Sequence, residues 1–339
     1  MIPSPARLVR GVLKVLATLV VGFPAVWGAF ALWYQVPGSH ALKSLAVILW
    51  AGFGLATLIA LWQGRTAIAV VGFAAAFAGL LVWGQHLRPS NDFVWADDVA
   101  QITTGVVDGN SVTLQNVRNF DWRSDSDYAQ RWETRHYDLN RLHSVDMIMS
   151  YWSGAAIAHM LVSFGFEDTE QVAFSVEIRR KQGQSFSEIG GFFKEFELSI
   201  IAADERDVIR VRTNVRGEDD YLYRINMPVP AMRSLLLAYI DQANSLVSMP
   251  RFYNTVTANC TTLVYHMMRH IVGYLPLSYR LLLTGYLPQY VYGLGGLAPH
   301  YSFEELRAGG HITGRALAAD RSSTFSQQIR QGVPGVATP

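Results

Sequence analysis

Three long apolar runs dominate the first 87 residues of the chain, and a much more polar sequence follows them. The runs cover residues 13–34, 46–62 and 66–83, close to the ~20 residues that an α-helix needs to cross a bilayer. No charged side chain lies in the middle of a run, which indicates an anchor rather than an ion or proton pathway. We therefore predict a three-helix transmembrane anchor in residues 1–87 and an extramembrane domain in residues 88–339, with its core at about 119–300.

Basic residues beside the apolar runs predict the orientation of the chain. Arg7, Arg10 and Lys14 surround the start of the first run, and Arg65 separates the second run from the third. Only Lys43 lies between the first and second runs. Because basic residues collect on the cytoplasmic side, we expect a cytoplasmic N-terminus and, after three crossings, an extracytoplasmic domain. In a bacterium this places the anchor in the inner membrane and the domain in the periplasm.

Alternating apolar and polar residues predict a strand hairpin that carries a histidine. Residues 158–166 and 174–179 alternate on either side of a turn. The two apolar faces lie on the same side of the hairpin only if the numbers of each two opposite residues add up to an even number. A turn at 167–169 gives the sum 336. His159 then lies opposite or diagonal to Glu177, whose carboxylate could orient the imidazole and stabilise its protonated form. An ordinary packing histidine is the alternative.

A second pattern predicts a helix that begins at the only cysteine of the chain. Asn259 is a favourable N-cap, and apolar residues at helical spacing continue to about Gly273. Cys260 would then lie in the first turn, where the helix dipole favours the nucleophilic thiolate. The alternative is a small, buried and inert cysteine. A single cysteine also excludes an intrachain disulfide framework.

The rest of the polar region reads as a mixed α+β domain. Residues 119–137, rich in charged and aromatic side chains, are interpreted as a stapled surface loop, with head-group binding as the alternative. The tail from Arg315 is polar and is expected to be mobile at its tip. The further predicted elements are a hairpin over residues 101–117, strands near 196–203, 208–214 and 221–226, and a helix over 230–247.

Residues 274–297 are rich in leucine and tyrosine and are interrupted by proline and glycine. They could be core around an irregular loop, or a flap at the membrane interface, where tyrosine is favoured. We expect them to line one wall of a groove that ends at Cys260, with apolar side chains exposed toward the transmembrane helices. Leu281, Leu282 and Tyr286 are the predicted substrate-binding residues.

Composition narrows the possible partners. The net charge is +1 and no basic block resembles a nucleic-acid footprint, so no nucleic-acid partner is expected. His266 and His270 are four residues apart, but no glutamate follows the first histidine as it does in zinc peptidases. We expect neither a metal nor an organic cofactor.

Several short motifs, taken in order, resemble the Lnb-type N-terminal periplasmic domain, a family named after a bacterial lyso-form lipoprotein transacylase. The resemblance runs from about residue 119 to 270, under half of the chain. In that transacylase membrane helices follow the periplasmic domain, whereas here three apolar runs precede it. The motifs are Ala158-His159, Phe164-Gly165-Phe166-Glu167-Asp168, Ser175-Val176-Glu177-Ile178-Arg179, Asp204-Glu205-Arg206-Asp207, Phe252-Tyr253-Asn254 and Asn259-Cys260-Thr261-Thr262.

The resemblance implies a permuted papain-like α+β fold related to NlpC/P60 and retinol-acyltransferase-type enzymes. In that fold the strand with the base precedes the helix with the nucleophile. Cys260 matches the nucleophile and His159 the base, whereas Glu177 as the orienting carboxylate follows from the strand register.

Together these expectations predict a membrane-anchored, cysteine-dependent acyltransferase. It would act on acyl esters of a phospholipid or lipoprotein through a thioester intermediate. Backbone amides at the start of the cysteine helix, including that of Cys260, would hold the oxyanion, and Asn259 would cap the helix. The alternatives are a cysteine peptidase or amidase acting on cell-wall peptide, and a non-enzymatic envelope scaffold. Fold alone does not decide among them.

Overall fold

The apolar runs form the three long helices that the sequence predicts. The structure is a computed structural model that describes residues 5–64, 66–167 and 170–337. Among these residues, three helices are long and apolar enough to cross a membrane, over Gly11–Gln35, His40–Trp62 and Ile68–His86. The complete helices are α1 (Pro5–Gln35), α2 (His40–Trp62) and α3 (Thr66–His86).

Contacts within the chain define two units, Met1–Pro89 with Ser187–Glu195, and Ser90–Phe186 with Phe196–Pro339. In the first unit, the Trp50 indole donates a hydrogen bond to the carbonyl of Ala25 at 2.9 Å. Gly28 permits this close packing, because a Cβ there would come within 2.5 Å of the indole nitrogen.

The segment Ser187–Glu195 belongs to the helical unit although it lies between two strands of the second unit in sequence. The Phe193 ring packs against the rings of Trp27 and Tyr34, with centroids 5.6 and 5.8 Å away. Lys194 donates to the carbonyl of Gly84 at 2.8 Å. The continuous domain predicted for residues 88–339 is therefore interrupted by a short segment that packs on the membrane helices.

The second unit is built around one sheet, which confirms the mixed α+β class. In the described ranges eight strands form this sheet, in the order β1-β2-β9-β8-β7-β6-β10, with β5 also paired to β2. Its strands are β1 (Thr104–Asp108), β2 (Ser111–Arg118), β5 (Trp132–Asp138), β6 (Leu142–Ser153), β7 (Ile157–Phe166), β8 (Gln171–Arg179), β9 (Glu197–Ala203) and β10 (Asp219–Arg224). Two short strands, β3 (Asp121–Trp122) and β4 (Tyr128–Ala129), pair with each other.

The register predicted for the histidine hairpin is confirmed. Strands β7 and β8 are antiparallel and pair Leu161 with Ser175 and Val162 with Phe174, so that residue numbers sum to 336. Residues 168 and 169 of the predicted turn lie outside the described residues. The hairpin of β1 and β2 around residues 108–110 is confirmed as well.

Helices cover both faces of the sheet. On one face, α5 (Val229–Ser248) and α6 (Cys260–Val272) enclose a large apolar core that includes Phe164, Phe174 and Tyr239. On the other face, a smaller core contains Ile148, Leu161 and Phe325. The remaining helices are α4 (Glu205–Val208), α7 (Leu287–Gly293), α8 (Phe303–Gly310), α9 (Thr313–Ala319) and α10 (Phe325–Ile329).

The strand predicted for residues 208–214 is wrong, because this stretch is helical. Asp204 caps α4 by accepting a hydrogen bond from the N–H of Arg206 at 2.9 Å, and a π-helical turn, Val211–Val215, follows. Arginines between valines imitate the alternation of a strand. The aspartate cap was the better indicator of local structure.

The polar tail from Arg315 packs against the sheet before it reaches its tip. Phe325 and Ile329 of α10 are fully buried against the sheet. The guanidinium of Arg330 is buried between Asp146 on β6 and Glu205 on α4, at 2.9 and 2.6 Å. The last two residues, 338 and 339, lie outside the described residues.

Residues 119–137 are stapled as predicted, but they are not a surface loop throughout, because Trp132–Asp138 form strand β5 of the sheet. Buried Asp207 accepts hydrogen bonds from Arg118, from the N–H of Phe120 and from the indole of Trp122. These bonds hold an aromatic cluster formed by Phe120, Trp122, Tyr128 and Trp132.

Candidate active site

Cys260 is the first residue of α6, and a capping box fixes this helix start. The side-chain oxygen of Asn259 accepts from the N–H groups of Thr261 and Thr262 at 2.9 and 2.8 Å. The Thr262 hydroxyl accepts in return from the N–H of Asn259 at 3.0 Å. The Cys260 N–H takes no part in these capping bonds, whereas the Asn259 N–H does.

His159 lies where strands β7 and β8 separate. Their ladder stops at the pair Leu161–Ser175, and α6 contacts both strands. The Cys260 thiol and the His159 imidazole lie close enough for each group to shift the pKa of the other. The structure therefore brings the predicted nucleophile and base together.

The imidazole reaches Glu177 mainly through a serine. His159 Nε2 lies 2.7 Å from Ser175 Oγ, and this hydroxyl donates to Glu177 Oε1 at 2.6 Å. The direct separation of His159 Nε2 from Glu177 Oε1 is 3.3 Å. Because Nε2 is occupied, Nδ1 is the nitrogen available to the thiol. Glu177 lies where the register predicts, and Ser175 is an intermediate that sequence reasoning missed.

Arg212 binds the same oxygen of the Glu177 carboxylate as Ser175 does. Its guanidinium donates to Glu177 at 3.0 Å and to Glu218 at 3.3 Å. Behind it, the Ser150 hydroxyl hydrogen-bonds with the carboxyl groups of Glu218 and Asp220. Arg212 was missed because its segment was predicted as a strand.

These polar groups form a row across one face of the sheet. Asp220 pairs with Ser150, and Ser150 pairs with His159. On the next strands, Glu177 pairs with Ser199. Since directly paired residues point to the same face, the strands themselves align the base with its supporting groups.

The electrostatics favour a thiolate–imidazolium pair. Burial and Arg212 lower the pKa of His159, but Glu177 and Cys260 outweigh them and raise it to about 9. Burial raises the pKa of the Cys260 thiol, but the charge and hydrogen bond of His159 bring it below its ordinary value. Burial also raises the pKa of Glu177, yet His159 and Arg212 hold it well below its usual range. Each of these pKa shifts favours the ionised form of its group.

A short turn clamps the strand just before the base. The Thr284 hydroxyl donates to the carbonyl of Ala158 at 2.5 Å and accepts from its N–H at 3.0 Å. Gly285 approaches the same strand so closely that a Cβ would lie 2.1 Å from the carbonyl oxygen of Ala155. Residues 284 and 285 thus fix the backbone that carries His159.

An apolar cavity of about 570 Å³ lies between the cysteine helix and the strand that carries the histidine. Met160 and Thr261, the neighbours of His159 and Cys260 in sequence, line it, but His159 and Cys260 themselves do not. Residues 274–297 form part of its wall, and among the predicted substrate-binding residues Leu281 is buried there. A groove that ends at Cys260 stays a prediction. Leu282 and Tyr286 do not line the cavity, and Leu282 points to the surface because its turn is irregular. The other lining residues of this segment are Tyr274, Leu275, Leu287, Tyr290, Val291, Leu294, Gly295 and Gly296.

We predict that Ser175→Ala weakens the Cys260–His159 ion pair. A hydrogen bond of this kind contributes about 0.5–1.5 kcal/mol, so the thiolate fraction should fall by up to roughly ten-fold. Alkylation of Cys260 by iodoacetamide across pH should show a higher apparent thiol pKa.

Ser199→Ala is the matched control, because the buried Ser199 hydroxyl has no hydrogen-bond partner among the described residues. It should leave the alkylation profile unchanged. Identical profiles for the two variants would remove Ser175 from the path between imidazole and carboxylate.

Fold and site together define a membrane protein with an α+β domain that carries a buried cysteine–histidine pair. Residues 128–285, just under half of the 339, match the family model of the Lnb N-terminal periplasmic domain. This match confirms the resemblance inferred from the motifs, and it includes both Cys260 and His159. Neither the curated proteins nor the solved structures gave a match. The three apolar helices and this family fit an inner-membrane protein with a periplasmic domain.

Proposed function

We propose that the protein is a membrane-anchored cysteine acyltransferase that takes an acyl group from a phospholipid or lipoprotein ester. The observation that carries this proposal is the interaction of Cys260 with His159 in a domain whose apolar cavity is lined by their sequence neighbours Met160 and Thr261. The basic residues near the first apolar run further support a cytoplasmic N-terminus, which would place the pair on the periplasmic side.

The first half-reaction forms a thioester. The Cys260 thiolate attacks the ester carbonyl, and the N–H of Cys260 at the helix start would stabilise the oxyanion. The carbon–sulfur bond forms as the ester carbon–oxygen bond breaks. His159, protonated in the ion pair, gives its proton to the departing alkoxide, which leaves as the hydroxyl of a lysolipid.

The second half-reaction restores the pair. An acceptor amine or hydroxyl attacks the thioester carbonyl while His159 takes its proton. The carbon–sulfur bond breaks, and the thiolate is released beside an imidazolium. Ser175, Glu177 and Arg212 would keep the imidazole oriented and stabilise its charge through both steps.

The apolar cavity favours a lipid substrate over a cell-wall peptide. Its volume lies within the range of ligand sites, and most of its lining residues are aliphatic or aromatic. Such a surface suits an acyl chain, which buries apolar area without needing hydrogen bonds. A peptidase or amidase, the second candidate, would need polar groups to satisfy peptide N–H and C=O groups. The permuted papain-like arrangement supports either chemistry and stays a prediction.

We predict that the full chain in proteoliposomes forms lysophospholipid from labelled bilayer phospholipid. The rate should fall to background in Cys260→Ser, because serine lacks the favoured ionised form of the nucleophile. Thin-layer separation of the labelled lipids measures the product. Cleavage of cell-wall peptides by the same preparation, with the phospholipid left intact, would replace the lipid proposal with the peptidase alternative.

A further inference from the structure

Residues 272–283, directly after the cysteine helix, expose an unusual concentration of apolar side chains. Tyr274 and Leu277 are both 83 % exposed. On a soluble surface, large apolar residues are normally scattered singly. Here six of them fall within one irregular segment, which we call the apolar edge: Val272, Tyr274, Leu277, Tyr279, Leu282 and Leu283.

The charged residues nearest the apolar edge in sequence have one sign. The sequence contains no aspartate or glutamate between Asp241 and Glu304, whereas Arg269 precedes the edge and Arg280 lies within it. The Arg280 guanidinium lies over the Tyr279 ring, 5.6 Å from its centroid. Tyrosine beside arginine is typical of side chains at the level of lipid head groups, and basic residues are attracted to anionic lipid.

The unit that carries this surface is attached to membrane helices by a short connection. Helix α3 ends at His86, and the second unit begins at Ser90. The connecting residues 87–89 can span only about 10 Å when fully extended. A chain that crosses the membrane three times therefore keeps Ser90 near lipid.

We propose that the apolar edge docks onto the bilayer that the protein's own helices span. Leu277 and Tyr274 enter the acyl boundary, and Arg269 and Arg280 contact anionic head groups. Val272 and Tyr274 also line the apolar cavity, so docking opens the cavity to lipid rather than to water. This inference does not depend on the chemistry of Cys260.

The test places a fluorescent label on the edge of the full chain. In a Cys260→Ser background, Leu277→Cys is labelled with an environment-sensitive dye and compared with Leu317→Cys. Leu317 is a matched control, because it is a leucine 53 % exposed on α9. Both variants are reconstituted in nanodiscs of phosphatidylcholine and phosphatidylglycerol, with or without brominated acyl chains.

The Leu277 label should emit at shorter wavelength than the Leu317 label and should alone be quenched by the brominated lipid. Equal emission and equal quenching by aqueous iodide at both positions would overturn the proposal. A blue-shifted Leu277 label that brominated lipid does not quench would also overturn it, since the edge would then be covered by protein. The labelled protein lacks Cys260 and therefore reports docking alone. A failure of docking is thus distinguishable from a failure of acyl transfer.

Discussion

His159→Ala should lower the rate of lysophospholipid formation by about 10²–10⁴-fold, the usual contribution of a general acid–base group. The variant removes the group that shuttles the proton and also the charge that favours the Cys260 thiolate. The sheet should persist, because β7 is held by ladders to β6 and β8. Initial rates in proteoliposomes measure the effect.

His266→Ala is the control for this variant. His266 lies on the exposed side of α6, the same helix that carries Cys260, and it should be silent. A rate in His159→Ala close to that of His266→Ala would contradict the assignment of His159 as the base.

The same pair predicts a pH dependence with a definite sign. The His159 pKa is raised from its ordinary value to about 9, so the imidazolium stabilises the fold fully below about 6.5. This contribution is lost as the pH rises through about 9.

Iodoacetamide should alkylate Cys260 at a lower pH than an ordinary thiol, and in His159→Ala this difference should disappear. Identical alkylation profiles in the two proteins would contradict an ion pair.

Arg330→Met should destabilise the extramembrane unit by about 3–5 kcal/mol, the cost of removing one partner of a buried ion pair. Its guanidinium is buried against Asp146 and Glu205, both of which are fully buried. Methionine fills much of the volume but leaves the two carboxylates with less compensating charge. Thermal unfolding followed by near-ultraviolet circular dichroism in detergent measures the loss.

Arg321→Met is the control for Arg330→Met. Arg321 is exposed nine residues earlier in the chain, and surface changes of this kind usually stay within about 0.5 kcal/mol. Equal transition temperatures for the two variants would mean that the tail does not hold the sheet together.

Local patterns predicted the parts of the site that depend on local physics. The helix at Cys260 follows from its Asn259 cap and from apolar residues at helical spacing, and the structure begins the helix at that residue. The register of β7 and β8 follows from alternation, because a shift of one residue would move every apolar side chain to the wrong face. This register alone predicts the positions of His159 and Glu177, without information about the rest of the fold.

The supporting groups could not be predicted, because their roles depend on contacts between distant segments. Arg212 reaches Glu177 from a π-helical turn that imitates a strand in sequence. Thr284 clamps Ala158 across more than a hundred residues of chain. The polar sequence around Arg330 resembles a mobile tail, because a buried arginine is recognisable only beside its two carboxylates.

In the proposed reaction, Cys260 carries the acyl group between donor and acceptor. Proteoliposomes with bilayer phospholipid but no acceptor, quenched at low pH, should yield a Cys260 peptide heavier by one fatty acyl group in mass spectrometry. Neutral hydroxylamine should remove this mass, as it does from a thioester, and Cys260→Ser should never acquire it. Formation of lysophospholipid with an unmodified Cys260 peptide at every time point would contradict the account.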